Sequence, residues 1–205
     1  MLIEFCGLDG SGKSTHLAHA MRWLNDKGYL AFERSLRGTG KRLLGAIAHE
    51  AGRTSGRELF GVDLVEFSHA VEMVIQAFGT IACADSQRTM FLADRYGVAW
   101  LADALAKGAS CEEALVAIYS RLPRPTCSIY LDVAPDVCWR RISERPKGDH
   151  KLGRGGRAAL DRLYDAYESA IGALPWEVVR INGNDSVETV WSSVQDAVRN
   201  RLPVG

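Results

Sequence analysis

The chain has 205 residues, long enough to bury a sizeable core and within the usual span of one domain. Hydrophobic residues make up 47% and charged residues 24%, an ordinary globular composition. Lys plus Arg and Asp plus Glu each number 25, so no positive excess serves a general nucleic-acid or membrane-surface binder, and neither partner is expected. The cysteines, Cys6, Cys83, Cys111, Cys127 and Cys138, are odd in number and show no C-x-x-C or zinc spacing. They read as reduced thiols of a cytoplasmic protein. Glu4 interrupts the first apolar run, so no secretory leader is expected. The longest uncharged stretch, Met73 to Ala84, falls short of the roughly 20 residues that span a bilayer.

The first element is an apolar run, Leu2–Cys6, which reads as a buried strand. Gly7-Leu8-Asp9-Gly10-Ser11-Gly12-Lys13-Ser14 follows directly and spells G-x-x-x-x-G-K-S. A helix-forming stretch, Ser14–Lys27, comes next. Strand, glycine loop and helix in that order give the pattern mechanical meaning. Glycines let the backbone turn tightly and aim N–H groups at phosphate oxygens. Lys13 is placed to reach the β- and γ-phosphates, and the Ser14 hydroxyl to ligate Mg²⁺. The expected ATP-binding set is Gly7, Asp9, Gly10, Ser11, Gly12, Lys13, Ser14, Thr15 and, further along, Arg141.

A short second strand is expected at Tyr29–Glu33, then helices at Lys41–Gly52 and Val62–Ala84. Met90–Ala93 forms a third strand and runs straight into Asp94-Arg95-Tyr96. In an open parallel sheet the carboxyl ends of strands line the ligand crevice. Asp94 therefore suits a metal or proton role and Arg95 a phosphate clamp. Val98–Lys107 is helical, Ser128–Val133 a fourth strand, Ala134–Glu144 a helix. Helices at Arg157–Ala173 and Ser186–Arg201 flank a fifth strand at Glu177–Ile181. Strands separated by helices of this length imply a mostly parallel sheet covered on both faces. The chain shows no internal repeat and reads as a single domain, residues 1–205.

Arg145 to Gly156 reads R-P-K-G-D-H-K-L-G-R-G-G. It is a solvated loop or a lid over phosphates at about 145–157. Arg140, Arg141, Arg145, Arg154 and Arg157 in or beside it favour the lid, with glycines as hinges.

The phosphate loop with its internal Asp9, then Asp94-Arg95-Tyr96, then Tyr130-Leu131-Asp132-Val133 before an arginine-rich lid, resembles the thymidylate kinases. Order and spacing match over nearly the whole chain. The resemblance implies a three-layer α/β P-loop kinase fold with a central parallel sheet of about five strands and helices on both faces. It also implies transfer of the γ-phosphate of ATP to a nucleoside monophosphate with Mg²⁺, and a homodimer. By that resemblance Asp9 sits near the acceptor sugar and phosphate, Asp94 organises metal and transfer with Ser14, and Arg95 binds the acceptor phosphate. In the family, an arginine for the transferred group comes from the phosphate loop or from the lid; this loop has none, so the resemblance implies a lid arginine, Arg145 or Arg154, with Arg141 next. Lys13, Asp94, Arg95, Arg145 and Arg154 form the expected catalytic set.

The acceptor side departs from the family pattern. Where the family often has Glu-Pro-Gly-Gly-Thr, this chain has Glu33-Arg34-Ser35-Leu36-Arg37-Gly38-Thr39, without the proline. Glu33, Arg34 and Arg37 are acceptor candidates, with a plain loop as the alternative. Phe67 is placed to stack on a base, but the arginine the family carries a turn later is missing; Glu66, His69 and Glu72 stand nearby instead. Tyr96 completes the acceptor set, and Gly97-Val98-Ala99-Trp100 replaces the family's polar residues. dTMP is the default acceptor. A modified pyrimidine nucleotide or a nucleoside is the alternative. A non-enzymatic nucleotide switch is disfavoured, because no N-K-x-D stands in the chain.

Overall fold

A computed structural model describes residues 1–36, 38–81, 88–144 and 156–203. Its centre is a five-stranded sheet of β1 (Leu2–Gly7), β2 (Leu30–Arg34), β3 (Thr89–Asp94), β4 (Cys127–Asp132) and β5 (Val178–Asn182), in the order β2-β3-β1-β4-β5. Every pairing is parallel. β1 is buried along its length because both of its faces are covered. Side chains alternate between two cores. Leu2 and Cys6 face a core shared with α4 (Val62–Thr80), α5 (Gly97–Ala106) and α8 (Gly156–Ala173). Ile3 and Phe5 face another, built with α1 (Lys13–Asp26) and α9 (Val187–Arg199). Period-two alternation across a covered sheet thus yields three layers, the architecture expected from the sequence.

β1 leads through α1 to β2 on one side, and β3 leads back across β1 to β4 on the other. The reversal puts a crevice at the carboxyl end of β1, the switch point where such sheets bind ligands. The phosphate loop occupies it.

α2 (Gly40–Glu50) and α7 (Pro135–Ser143) complete the helices expected from the sequence, with ends shifted by a few residues. Two more helices had no counterpart there: α3 (Gly56–Phe60) and α6 (Glu112–Tyr119). α3 is one turn, capped by the Ser55 hydroxyl accepting from Glu58 N. Both are too short for the helical period to show. The expected Val62–Ala84 helix is seen to Thr80; residues 82–87 lie outside the described residues, as do 145–155 and Arg37. Among the described residues no helix is long and apolar enough to cross a membrane.

One buried carboxylate ties the layers together. Glu4 of β1 is fully buried and accepts from Tyr96 N (2.9 Å), Ala99 N (3.0 Å) and Ser128 Oγ (2.7 Å). It caps the first turn of α5 from across the sheet, a position that suits negative charge. Burial pushes its carboxyl up, while these donors pull it down.

Candidate active site

The phosphate loop is shaped by its glycines. Gly10 and Gly12 take φ of 88° and 100°, a region that other residues rarely enter. At Gly7 a Cβ would stand 2.7 Å from Leu131 O, so no side chain fits between the loop and β4. No side chain caps α1 and its first turn holds no acidic residue. Its leading N–H groups therefore point to an anion rather than to a protein carboxylate.

Lys13 is nearly buried, 6% exposed, and donates to Gly7 O (3.0 Å) and Leu8 O (2.8 Å), with Asp9 Oδ1 at 3.8 Å. Burial and the nearby Arg95 push its ammonium down to about 8; Asp9 and Asp94 pull the other way. A cation held at such cost is poised to gain from phosphate charge.

Asp94 ends β3, with its Cα opposite Phe5, two residues before Gly7. Its Oδ1 is buried and has no hydrogen-bond partner among the described residues. Such an atom calls for a ligand. The next residue, Arg95, adopts φ 72° while its N–H donates to Phe5 O at 3.0 Å. This left-handed turn sends the guanidinium back over the loop to pair with Asp9. Burial opposes the Arg95 cation, but Asp9, joined by Tyr167 and Asp103, more than offsets it and raises its pKa. Four groups predicted from scattered positions, Asp9, Lys13, Asp94 and Arg95, thus meet at the mouth of β1.

Arg141 of α7 donates to Gly10 O (3.4 Å) and Gly183 O (3.2 Å). It bridges the phosphate loop to the loop after β5, on the side of β1 away from Asp94 and Arg95. Ser14 and Thr15 are exposed at the start of α1, and the buried Ser11 Oγ has no partner among the described residues.

A cavity of about 650 Å³ opens beside this cluster. Asp9 and Arg95 line its near end. Trp139 and Ile142 of α7 and Leu160 and Leu163 of α8 give an apolar wall. Arg57, Asp103, Lys107 and Arg162 line the rest. None of these last four was singled out in the sequence. A signal existed for Asp103, which is the only charged residue of the otherwise apolar α5. Arg57 had none, because α3 is a single turn.

Several acceptor candidates do not line the cavity. Tyr96 is buried among Trp100 and Trp176, with its hydroxyl donating to Pro123 O at 3.1 Å; it is a core residue. Phe67 is 41% exposed and shares an outward stripe of α4 with Leu64, Val71, Ile75 and Phe78. Its neighbour Glu66 faces inward instead, fully buried. Glu66 takes two hydrogen bonds from Arg57 (3.1 and 2.8 Å) and one from Lys41 (2.5 Å). Glu33 and Arg34 are exposed on the edge strand β2. Arg37, Arg145 and Arg154 lie outside the described residues.

A parallel sheet with a phosphate loop at its switch point, a carboxylate and an arginine at the next strand end, and an adjoining cavity defines a P-loop kinase. The family model described as thymidylate kinase matches residues 5–194. A thymidylate kinase of Akkermansia muciniphila is 30% identical, covering 98% of this chain and 93% of that protein. A probable thymidylate kinase of Pyrococcus horikoshii is 31% identical over 96% and 94%. One from an Exiguobacterium species is 26% identical over 100% and 97%. The chain belongs to the thymidylate kinase family and is an ATP-dependent nucleoside monophosphate kinase.

Proposed function

We propose that this protein transfers the γ-phosphate of ATP to dTMP, giving dTDP, with Mg²⁺ as cofactor. It works as a cytoplasmic homodimer of single-domain subunits, each with a lid at about 145–157. The observation that carries the reading is the convergence of Lys13, Asp9, Arg95 and Asp94 beside an open cavity at the switch point. Phosphoryl transfer asks a protein for positioning and charge neutralisation, and this arrangement offers both.

ATP phosphates lie on the loop from Gly7 to Thr15, where Lys13 leaves the Gly7 and Leu8 carbonyls to meet the β- and γ-oxygens. Arg141 steadies the loop on the ATP side. Arg95, held by Asp9, clamps the acceptor phosphate in the cavity and turns its oxygen toward the γ-phosphorus. Ser14 and Asp94 fit Mg²⁺, one by its exposed hydroxyl and the other by its unpartnered carboxylate oxygen. The metal supplies charge neutralisation at the phosphates. Arg145 or Arg154 brings a further cation to the transferred group. The dimer face is the α4 stripe of Leu64, Phe67, Val71, Ile75 and Phe78, which lies on one side of the helix and is exposed in the isolated chain. Ile75, 67% exposed, is its most open member, and Ile75→Glu should leave a monomer in sedimentation velocity.

Incubation with γ-labelled ATP, Mg²⁺ and dTMP should yield labelled dTDP on chromatography. Label appearing only as inorganic phosphate would contradict the reading. A different acceptor is the second reading, favoured by a cavity lined by Arg57, Asp103 and Lys107 and not by Phe67.

A further inference from the structure

The charges beyond Arg95 form one connected chain. Arg57 and Lys41 both hold Glu66, Lys41 Nζ stands 4.0 Å from Asp103 Oδ2, and Lys107 pairs with that same oxygen. These are three cations and two carboxylates. Burial opposes the charged forms of Glu66 and Asp103, yet the surrounding cations hold both carboxyls below their usual range. Only Glu66 of the five is fully buried, and ion pairs among partly exposed side chains add little to stability, so the cluster is a poor stabilising device. α5 is otherwise apolar throughout, so Leu at position 103 would suit its packing. Asp103 and Lys107, one turn apart, both line the cavity with Arg57. Asp103 and Arg95 line the same cavity, so the carboxylate borders the space into which a phosphate held by Arg95 would lead. Lys107 takes Oδ2; Oδ1 has no hydrogen-bond partner among the described residues.

We propose that Asp103, flanked by Lys107 and Arg57, is a specificity-determining residue of the acceptor cavity, and that it accepts a hydrogen bond from an O–H or N–H of the acceptor's nucleoside half. The inference rests on the nucleoside monophosphate kinase reading. A carboxylate only accepts and the two cations only donate. The matching ligand edge therefore presents a donor beside acceptors. A base imide (N–H between carbonyls) has that pattern, and so does a sugar hydroxyl beside ring or carbonyl oxygens. A site built this way rejects ligands that lack the donor, because its own carboxylate is then left desolvated and unmatched.

The test titrates wild type, Asp103→Leu and Asp103→Asn with dTMP, N3-methyl-dTMP, 3′-deoxy-dTMP, dUMP and UMP by calorimetry, with ATP affinity and steady-state KM and kcat measured alongside. Asp103→Leu should weaken dTMP about ten- to a hundredfold and leave ATP binding unchanged, with Asn recovering part of the loss. If the base N–H is the donor, N3-methylation costs wild type the same factor and costs Asp103→Leu nothing more. If a sugar hydroxyl is, the 3′-deoxy analogue or the dUMP–UMP pair shows that behaviour. Binding of all five ligands by Asp103→Leu within twofold of wild type would overturn the proposal, as would a wild type that binds none of them. A wild type that binds dTMP but transfers no phosphate sinks the kinase reading alone.

Discussion

The phosphate loop and the far end of the acceptor cavity handle charge in opposite ways. At the loop, backbone does most of the work: glycines with left-handed φ, an uncapped helix start, and one buried lysine resting on two carbonyls. At the far end, side chains from α2, α3, α4 and α5 neutralise one another, with Glu66 and Asp103 spanned by Arg57, Lys41 and Lys107. Phosphate is common to every nucleotide and is met by a fixed, contiguous device. The nucleoside half differs between substrates and is met by a dispersed one that substitution can retune.

The largest expected effect lies at the loop. Lys13→Ala should lower kcat about a hundred- to a thousandfold. It should change the melting temperature little, because relief from an unfavourably buried cation is offset by the Gly7 and Leu8 carbonyls losing their donor. Normal turnover in that variant would break the comparison at its first term.

Next comes the strut between the two ends. Glu4 holds α5, and α5 carries Asp103. Glu4→Ala leaves two buried N–H groups and a hydroxyl unmatched and should cost about 3 kcal/mol in urea unfolding. A loss below about 1 kcal/mol would mean the cap is dispensable.

Arg141→Ala should raise the KM for ATP about tenfold and change the KM for the acceptor far less. The reverse pattern would move Arg141 to the acceptor side.

The smallest effect is a proton. The Lys13 pKa near 8 in the free protein should rise once phosphate lies beside it. Nucleotide binding near pH 8 should then take up roughly half a proton, read by calorimetry in buffers of different ionisation enthalpy. The sign for folding follows. The native state binds fewer protons than the unfolded chain between about 8 and 10.5, so this group's destabilising effect is full below 8 and relieved as pH rises. Proton release on binding would contradict the assignment.

The same contrast explains what was legible in the sequence. β1, β3 and β4 are covered on both faces and so stand out as apolar runs, while a phosphate loop is contiguous and leaves a readable spacing. Asp94-Arg95 stood out because it ends a strand. The far end left one trace, the lone charge of Asp103 in the otherwise apolar α5. Arg57 sits on a one-turn helix, Glu66 and Phe67 are neighbours on α4 that face opposite ways, and only the helix period decides which is buried. Phe67 drew attention as an aromatic, yet the inward position belongs to Glu66. Glu4, read in the sequence only as a break in the first apolar run, proves to cap α5.

The account stands or falls on whether both ends act on one reaction. A coupled ADP-release assay with ATP, Mg²⁺ and dTMP tests that directly. ADP release that depends on dTMP and stops when Mg²⁺ is chelated is the predicted result. ADP release at one background rate with or without dTMP, in protein that binds ATP, would contradict it.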